Sequence, residues 1–286
     1  MENQFVFQEE KEIERLHVQN SLLSCYEAPI FEELFSRRCG LSVLDVGCND
    51  GSKTVDRFSS DCVSQVIGLE YTPELAAKAQ ETYGNEQFSF YPFDVEAPSF
   101  SERLTAIMDA RGIDGFDVIY LSYVLMHLSD VAKLLEELRP FLKDEGQLLI
   151  IDANDGASTL SLDPDGLLEQ FLAILKADRY SGNRETGSVA CQLLRDSGTW
   201  DVRIWHDCIS AGMGETEKKK AIFTTFFSYL PEDVALLLGA EPENGTYHEW
   251  DLWIREHYPT LKRQIMQDEA VISMGIKMLT CTKAHG

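Results

Sequence analysis

The 286-residue sequence contains no C-x-x-C pair, and its 7 cysteines, at 25, 39, 48, 62, 191, 208 and 281, are odd in number. That spacing argues against a disulfide frame and against a structural zinc site, and no metal ligand set is expected. Basic charge is scarce: 25 Lys plus Arg stand against 48 Asp plus Glu, for a formal net charge of -23. A field of that sign repels a phosphate backbone, so neither nucleic acid nor an anionic membrane is an expected partner. Neutral or cationic small molecules are compatible with it. Long apolar runs are missing as well. The opening MENQFVFQEEKEIERL is acidic and has no signal-peptide run, and no stretch is expected to approach the roughly 20 apolar residues that span a bilayer. Together with reduced cysteines, these features lead us to expect a cytoplasmic protein.

What is present is the composition of a globular chain, 44% hydrophobic and 26% charged, which sets aside disorder and low-complexity classes. From Glu9 to Phe35 apolar residues recur at helical spacing, and Pro29 suits the start of a second helix, so two helices are expected before the main fold. Short β-branched runs then alternate with helical patterns: SVLDVG, QVIGLE, QFSFYPF, FDVIYLS and GQLLIIDA are expected strands, with helices between them. Strands separated by helices pair in parallel through right-handed crossovers, which predicts a doubly wound α/β sheet. WDVRIWHDCI and ISMGIKMLTCTK read as two further strands, with a helical stretch between them punctuated by Pro231 and Pro259. The expected division is an N-terminal helical lid at 1–40, a Rossmann-like core at 41–210, a helical cap insertion at 211–270 and a last core strand at 271–286.

Ligands of such sheets sit beyond the carboxyl ends of the strands, beside the first one, where this chain reads Asp45-Val46-Gly47-Cys48-Asn49-Asp50-Gly51. Gly47 and Gly51 permit backbone angles and close approaches that a side chain would block. The second strand ends in Glu70, 19 residues after Gly51, where a carboxylate can accept from both hydroxyls of a ribose. The third ends in Phe93-Asp94-Val95, and the fourth runs into a loop carrying His127. Neither G-x-x-x-x-G-K-[ST] nor the three-glycine dinucleotide fingerprint is present, and Asp50 occupies the loop, so pyrophosphate is poorly served. The ligand that fits has an adenosine half and no phosphate. A dinucleotide-dependent oxidoreductase is disfavoured on the same grounds.

The motifs VLDVGCNDG, GLEYTPE, FDVEAP, FDVIYLSYVLMHL and LRPFLKDEGQLLIID together resemble the successive motifs of class I S-adenosylmethionine-dependent methyltransferases, over about residues 40 to 155. The resemblance implies a seven-stranded sheet of order 3-2-1-4-5-7-6 with the last strand antiparallel, and S-adenosylmethionine as cofactor. It implies that the loop Gly47, Cys48, Asn49 and Gly51 passes the methionine part, that Glu70 holds the ribose, that Asp94 meets the adenine amino group, and that Leu121 and Ser122 border the sulfonium, with Tyr71 and Val95 as further cofactor contacts. Asp45 either orients the cofactor's ammonium through the loop backbone or is only a buried strand-end carboxylate capping the loop. Asn49 stands where the family most often has a second glycine. Arg15 and Gln19 fall where family members fold helices over the cofactor as a lid.

Methyl transfer from a sulfonium is an in-line displacement, so alignment and exclusion of water matter most and no obligatory catalytic residue follows. Where the nucleophile must lose a proton, His127 is the candidate base; the competing reading makes it the cap of the helix beginning near Val131. Tyr123, Met126, Asp152 and Asn154 are the candidate acceptor contacts. The acids around IIDANDGAS and LDPDG suggest an amine-bearing small molecule, and the alternative for them is a solvated turn. Arg179 and Arg184 could clamp a substrate carboxylate or simply be solvated. The aromatic series from Phe223 to Tyr258 reads as core of the inserted helices, which could also wall the acceptor pocket or make a homodimer contact. A cofactor-binding regulatory or assembly protein without transfer activity is the remaining alternative.

Overall fold

The computed structural model describes residues 10–284. Two compact units share the chain: a helical unit of Met1–Pro29, Asn154–Arg184 and Asp207–Ile276, and a sheet unit of Ile30–Ala153, Glu185–His206 and Lys277–Gly286. The helical unit is therefore assembled from three stretches of chain and reaches beyond the 211–270 insertion read from the sequence. Of the expected 1–40 lid, residues 1–9 lie outside the described residues.

The chain enters through α1 (Glu10–Arg37). In the sheet unit, β1 (Leu41–Val46), β2 (Val63–Glu70), β3 (Phe88–Pro92), β4 (Phe116–Ser122) and β5 (Leu142–Ala153) alternate with α2 (Ser52–Phe58), α3 (Pro73–Tyr83), α4 (Phe100–Arg111) and α5 (Val131–Leu138). Every residue of β1 is buried, as a strand covered on both faces requires. Pairing is parallel between β1 and β2, β1 and β4, β2 and β3, and β4 and β5. The two-residue β6 (Thr159–Leu160) follows, then α6 (Leu167–Ala177), α7 (Thr186–Asp196), β7 (Trp200–Ala211) and, at the end of the chain, β8 (Ile272–Lys283). The strand order is β3-β2-β1-β4-β5-β8-β6 with β7 also pairing β8. Leaving aside β6, which runs antiparallel to β8, this is the expected order. One continuous core fills the sheet unit, and Leu44, Ile67, Phe100, Ile150 and Leu279 within it are fully buried.

Two proline readings are corrected. Pro29 does not open a second helix: α1 runs unbroken from Glu10 to Arg37 through it. Losing one N–H costs a single helical bond, and buried Leu22, Leu23, Ile30 and Phe31 on either side hold the helix together. Pro259 likewise lies inside α10 (Gly245–Ile265). In the helical unit α8 (Thr216–Phe227) and α9 (Leu230–Ala240) precede α10, and Phe171 stacks on Phe227 at 4.5 Å, with Phe223 and Phe227 parallel at 5.4 Å. The aromatic series is thus largely core. Residues 216–240 also correct the expectation of no apolar run, since they reach a mean hydropathy of 1.3 over a membrane-length window; half of that window is buried inside the protein.

Candidate functional site

Strand register brings the sequence-predicted residues of the sheet unit to one edge. Val46 pairs with Leu69 on one side and Leu121 on the other, Glu70 pairs with Pro92, and Ser122 pairs with Ile151. Gly47, Glu70, Ser122 and Asp152 therefore leave the sheet level with one another, and Asp94 follows two residues beyond Pro92.

The turn after β1 is built from left-handed residues: Gly47 at φ 74°, Asn49 at φ 51° and Gly51 at φ 79°. A Cβ on Gly47 would come within 2.4 Å of Val124 Cγ2, so glycine is required both for conformation and for space. Asn49 takes the position of the family's second glycine without breaking the turn, because asparagine tolerates this region and its Oδ1 accepts the Asp50 N–H at 2.7 Å. Asp50 in turn accepts from Ser52 N and Ser52 Oγ at 3.1 and 2.6 Å, satisfying the start of α2. Glu70 closes the turn from the side: Oε2 accepts the Asn49 N–H and Oε1 the Thr72 N–H, each at 2.9 Å. Asp45 is buried and accepts a hydrogen bond from Thr54 Oγ1, which anchors α2 to the end of β1. Burial, with Asp45 and Glu70 adding to it, pushes the Cys48 thiol well above its ordinary value and keeps it neutral.

At the next strand end Asp94 is half-buried and its Oδ1 accepts the Glu96 N–H at 2.9 Å in a local turn, with Val95 packed against the core. Tyr71 is exposed. Leu121 is fully buried, so the edge meets its backbone and not its side chain. Ser122 is engaged by a residue the sequence reading missed: Lys53 Nζ donates to Ser122 Oγ at 2.6 Å and lies 5.3 Å from the Tyr120 ring centroid. Nothing in the spacing of residues 53 and 122 marks that pair. Tyr123 adopts φ 56° and donates its N–H to Ile151 O at 2.7 Å.

The 3-10 turn Leu125–His127 follows. His127 is exposed on it, and the cap of α5 is Asp130, whose Oδ1 accepts the Lys133 N–H at 2.9 Å; the capping reading of His127 is thereby corrected. Glu96 braces this loop through Ser129. Burial opposes its ionisation, but hydrogen bonds from Ser129 Oγ and N and from Asp130 N outweigh that and lower its pKa. Met126 is buried and offers its N–H to Asp152 Oδ2 at 3.4 Å. Asp152, expected at the acceptor, is fully buried, and Ala153 N donates to its Oδ1 at 2.8 Å. It fastens the end of β5 to the 125–127 turn.

The remaining predicted residues belong to the helical unit. Arg15 donates to both Glu12 oxygens at 2.7 and 2.6 Å, to Gln19 Oε1 at 3.0 Å and to Thr225 O at 2.8 Å. Its guanidinium also stands 5.3 Å from the Tyr229 ring centroid. Asn154 is buried and bonds Gly275 O through its N–H at 3.2 Å. Arg184, read as a substrate clamp or a solvated residue, is instead buried and bidentate on Asp155, at 2.9 and 3.0 Å. Arg179 is exposed and pairs with Glu241. Asp233 lies buried against Asp178, and burial first, then the Asp178 and Glu12 charges, push its pKa up to about 8 against the pull of Arg15. Burial raises Tyr229 to about 12.

Comparison with known proteins agrees with this geometry. A family model described as a methyltransferase domain matches residues 26–180. An uncharacterized methyltransferase of Bacillus subtilis, YcgJ, is 26% identical over 64% of this chain and 69% of its own length. The crystal structure of that bacterial protein superposes with a TM-score of 0.53 at 18% identity, covering 91% of this chain and 99% of the other, which shows a shared fold. Phosphoethanolamine N-methyltransferase 1 of Triticum aestivum is 26% identical over 69% of this chain, and the aligned region spans 37% of the wheat protein.

Proposed function

We propose that this chain, which belongs to the class I S-adenosylmethionine-dependent methyltransferase family, methylates nitrogen or oxygen of a small molecule and takes an amine-bearing acceptor in preference. One observation carries the cofactor part of the reading. A buried carboxylate, Glu70, is held by two backbone N–H groups beside a turn of three left-handed residues at the sheet's carboxyl edge. Each carboxylate oxygen has a second lone pair, so Glu70 retains acceptor capacity for ribose hydroxyls while it braces the turn.

The donor set suits the cofactor. Glu70 and Asp94 are acceptors for a neutral nucleoside, and the negative field of Asp45 and Asp50 beside the turn favours a cationic tail. Bound there, S-adenosylmethionine supplies an electrophilic methyl group on a sulfonium. Glu70 and Asp94 would orient the adenosine, and the Gly47–Gly51 backbone would let the methionine part approach without a side chain intervening. Ser122, steadied by Lys53, and the backbone of Leu121 would border the reacting end. These contacts supply alignment, which is the main demand of an in-line displacement. His127 would accept the proton that a protonated amine or a hydroxyl must lose before it can attack.

The acidic charge of the chain supports an amine, and so does the wheat relative, whose name states N-methylation of phosphoethanolamine. Calorimetry with S-adenosylhomocysteine, followed by transfer of labelled methyl to a panel of amines, carboxylic acids, alcohols and nucleic acid, tests the reading. Binding with label on amines is expected. Label on acids alone would move the acceptor to oxygen, label on nucleic acid would overturn the small-molecule reading, and binding without any labelled product would leave a cofactor-binding regulator.

A further inference from the structure

The opposite edge of the sheet unit carries a feature unrelated to methyl transfer. Cys39 lies between α1 and β1, and Cys62 lies between α2 and β2, 23 residues further on. Their sulfurs are 2.9 Å apart, in hydrogen-bond contact as free thiols. Cys39 is exposed and Cys62 half-exposed, so a small reagent reaches both.

The backbone on both sides is fastened before any bond forms. Leu41 N donates to Cys62 O at 2.9 Å, Cys62 N donates to Ser60 Oγ at 3.2 Å, and Ser64 Oγ reaches Gly40 O and Leu41 O at 3.0 Å. Gly40, at φ 78°, turns the chain so that Cys39 reaches across. The native state thus holds the two thiols together, and joining them requires the sulfurs to close from 2.9 Å to the roughly 2.05 Å of a disulfide. The other thiols differ. Cys48, Cys191 and Cys281 are buried, and neither Cys25 nor Cys208 has a sulfur contact of this kind among the described residues.

We propose that Cys39 and Cys62 form a reversible disulfide that staples the start of β1 to the start of β2. The oxidant is a low-molecular-weight disulfide. The thiolate of either Cys39 or Cys62 attacks one sulfur of that disulfide, breaking its S–S bond and releasing one small thiolate, which takes up the proton that the cysteine lost. The thiolate of the other cysteine then attacks the protein sulfur of the mixed disulfide, and the second small thiolate leaves with the second proton. Two electrons and two protons pass to the small disulfide, giving two small thiols and one protein disulfide.

Joining residues 39 and 62 restricts the unfolded chain over the intervening loop. The full chain is incubated with oxidised glutathione without reductant, and its peptides are mapped by mass spectrometry under non-reducing conditions. A linked peptide pair containing Cys39 and Cys62, lighter by two hydrogens, is expected, with no glutathione retained on either. The Tm should rise by about 5 to 10 °C and fall back on reduction with dithiothreitol. C39S and C62S, both conservative changes at solvent-accessible sites, should each keep a glutathione adduct on the remaining thiol and show no rise in Tm. A stable glutathione adduct on Cys39 or Cys62 of the unmutated chain, or linkage through Cys25 or Cys208, would overturn the pairing; a 39–62 link that left Tm unchanged would overturn the staple.

Discussion

The carboxylate of Glu70, at the end of β2, accepts the backbone N–H of Asn49 at 2.9 Å across the turn that follows β1. One side chain thereby links the ends of β1 and β2, and on the proposed function the same oxygens would also accept the ribose hydroxyls. Glu70→Ala should weaken S-adenosylhomocysteine binding by about 1 to 3 kcal/mol, because hydroxyls and two loop N–H groups lose their acceptor together. Calorimetry on the purified variant measures this, and Glu70→Gln, which keeps one oxygen, should lose less. Unchanged affinity in both would put the ribose elsewhere.

Gly47 is pinned from two directions, by its φ of 74° and by Val124, whose Cγ2 would stand 2.4 Å from an added Cβ. Gly47→Ala should cost about 2 to 4 kcal/mol, of which roughly 1 to 2 is the left-handed penalty and the rest is overpacking. Val124→Ala removes the clashing methyl groups and leaves the backbone penalty in place. In urea unfolding the double variant should therefore be more stable than the sum of the two single losses, by about 1 kcal/mol or more. Simple additivity would mean that the backbone alone sets the cost.

His127 is exposed on its turn, and Asp130 rather than His127 caps α5, so replacing the imidazole leaves the cap of that helix in place. His127→Gln is expected to lower kcat by about 100-fold on an acceptor that must lose a proton. Affinity for S-adenosylhomocysteine should not change. Equal loss of both quantities would show that the substitution disturbs the turn and not proton transfer.

Much of this was legible in the sequence, and the limits are physical. ISMGIKMLTCTK is β8 residue for residue, and Thr72-Pro73 marks the start of α3, because alternation and helix-start chemistry are local. Asp45, Glu70 and Asp94 come to one edge because a parallel sheet brings successive strand ends to one side. Pro29 and Pro259 misled for a related reason: a local breaker signal was overridden by burial of the residues around it. Lys53 on Ser122, Arg184 on Asp155 and Asp152 on the 125–127 turn join residues 69, 29 and 26 positions apart, and no periodicity records such pairs. The solvated-loop reading of Arg184 failed because polar composition does not distinguish a charge facing water from one paired inside.

Asp233 supplies a pH signature in the helical unit. Its pKa is raised to about 8 in the folded chain by burial and by the Asp178 and Glu12 charges, while the unfolded chain ionises in the usual carboxylate range. Between about pH 4 and 8 the folded form therefore binds one more proton than the unfolded form, and stability falls as pH rises, by up to about 1.4 kcal/mol per unit. Below that window both forms are protonated and the contribution is fully present. Chemical unfolding at several pH values should show the decline, and Asp233→Asn, which carries no charge at any pH, should flatten it. A variant with the same slope would assign the titration to another group.

The buried pair of Arg184 and Asp155 gives the most direct test of how the helical unit is held. Both side chains are 6% exposed, and the guanidinium meets the carboxylate through Nε and Nη2 at 2.9 and 3.0 Å. Removing one partner strands the other charge away from water, so Arg184→Ala should destabilise the chain by about 3 to 5 kcal/mol. Arg184→Lys keeps the charge but cannot match two oxygens with a planar fork, and should recover only part of that loss. Replacing both, as Asp155→Leu with Arg184→Met, removes the desolvation penalty along with the attraction. The double variant should accordingly be more stable than Arg184→Ala, although it lacks one more polar group. Thermal unfolding of the four proteins side by side decides the matter: a double variant less stable than the single one would mean that each side chain is needed for its own further contacts, and that the ion pair is the smaller part of what holds them.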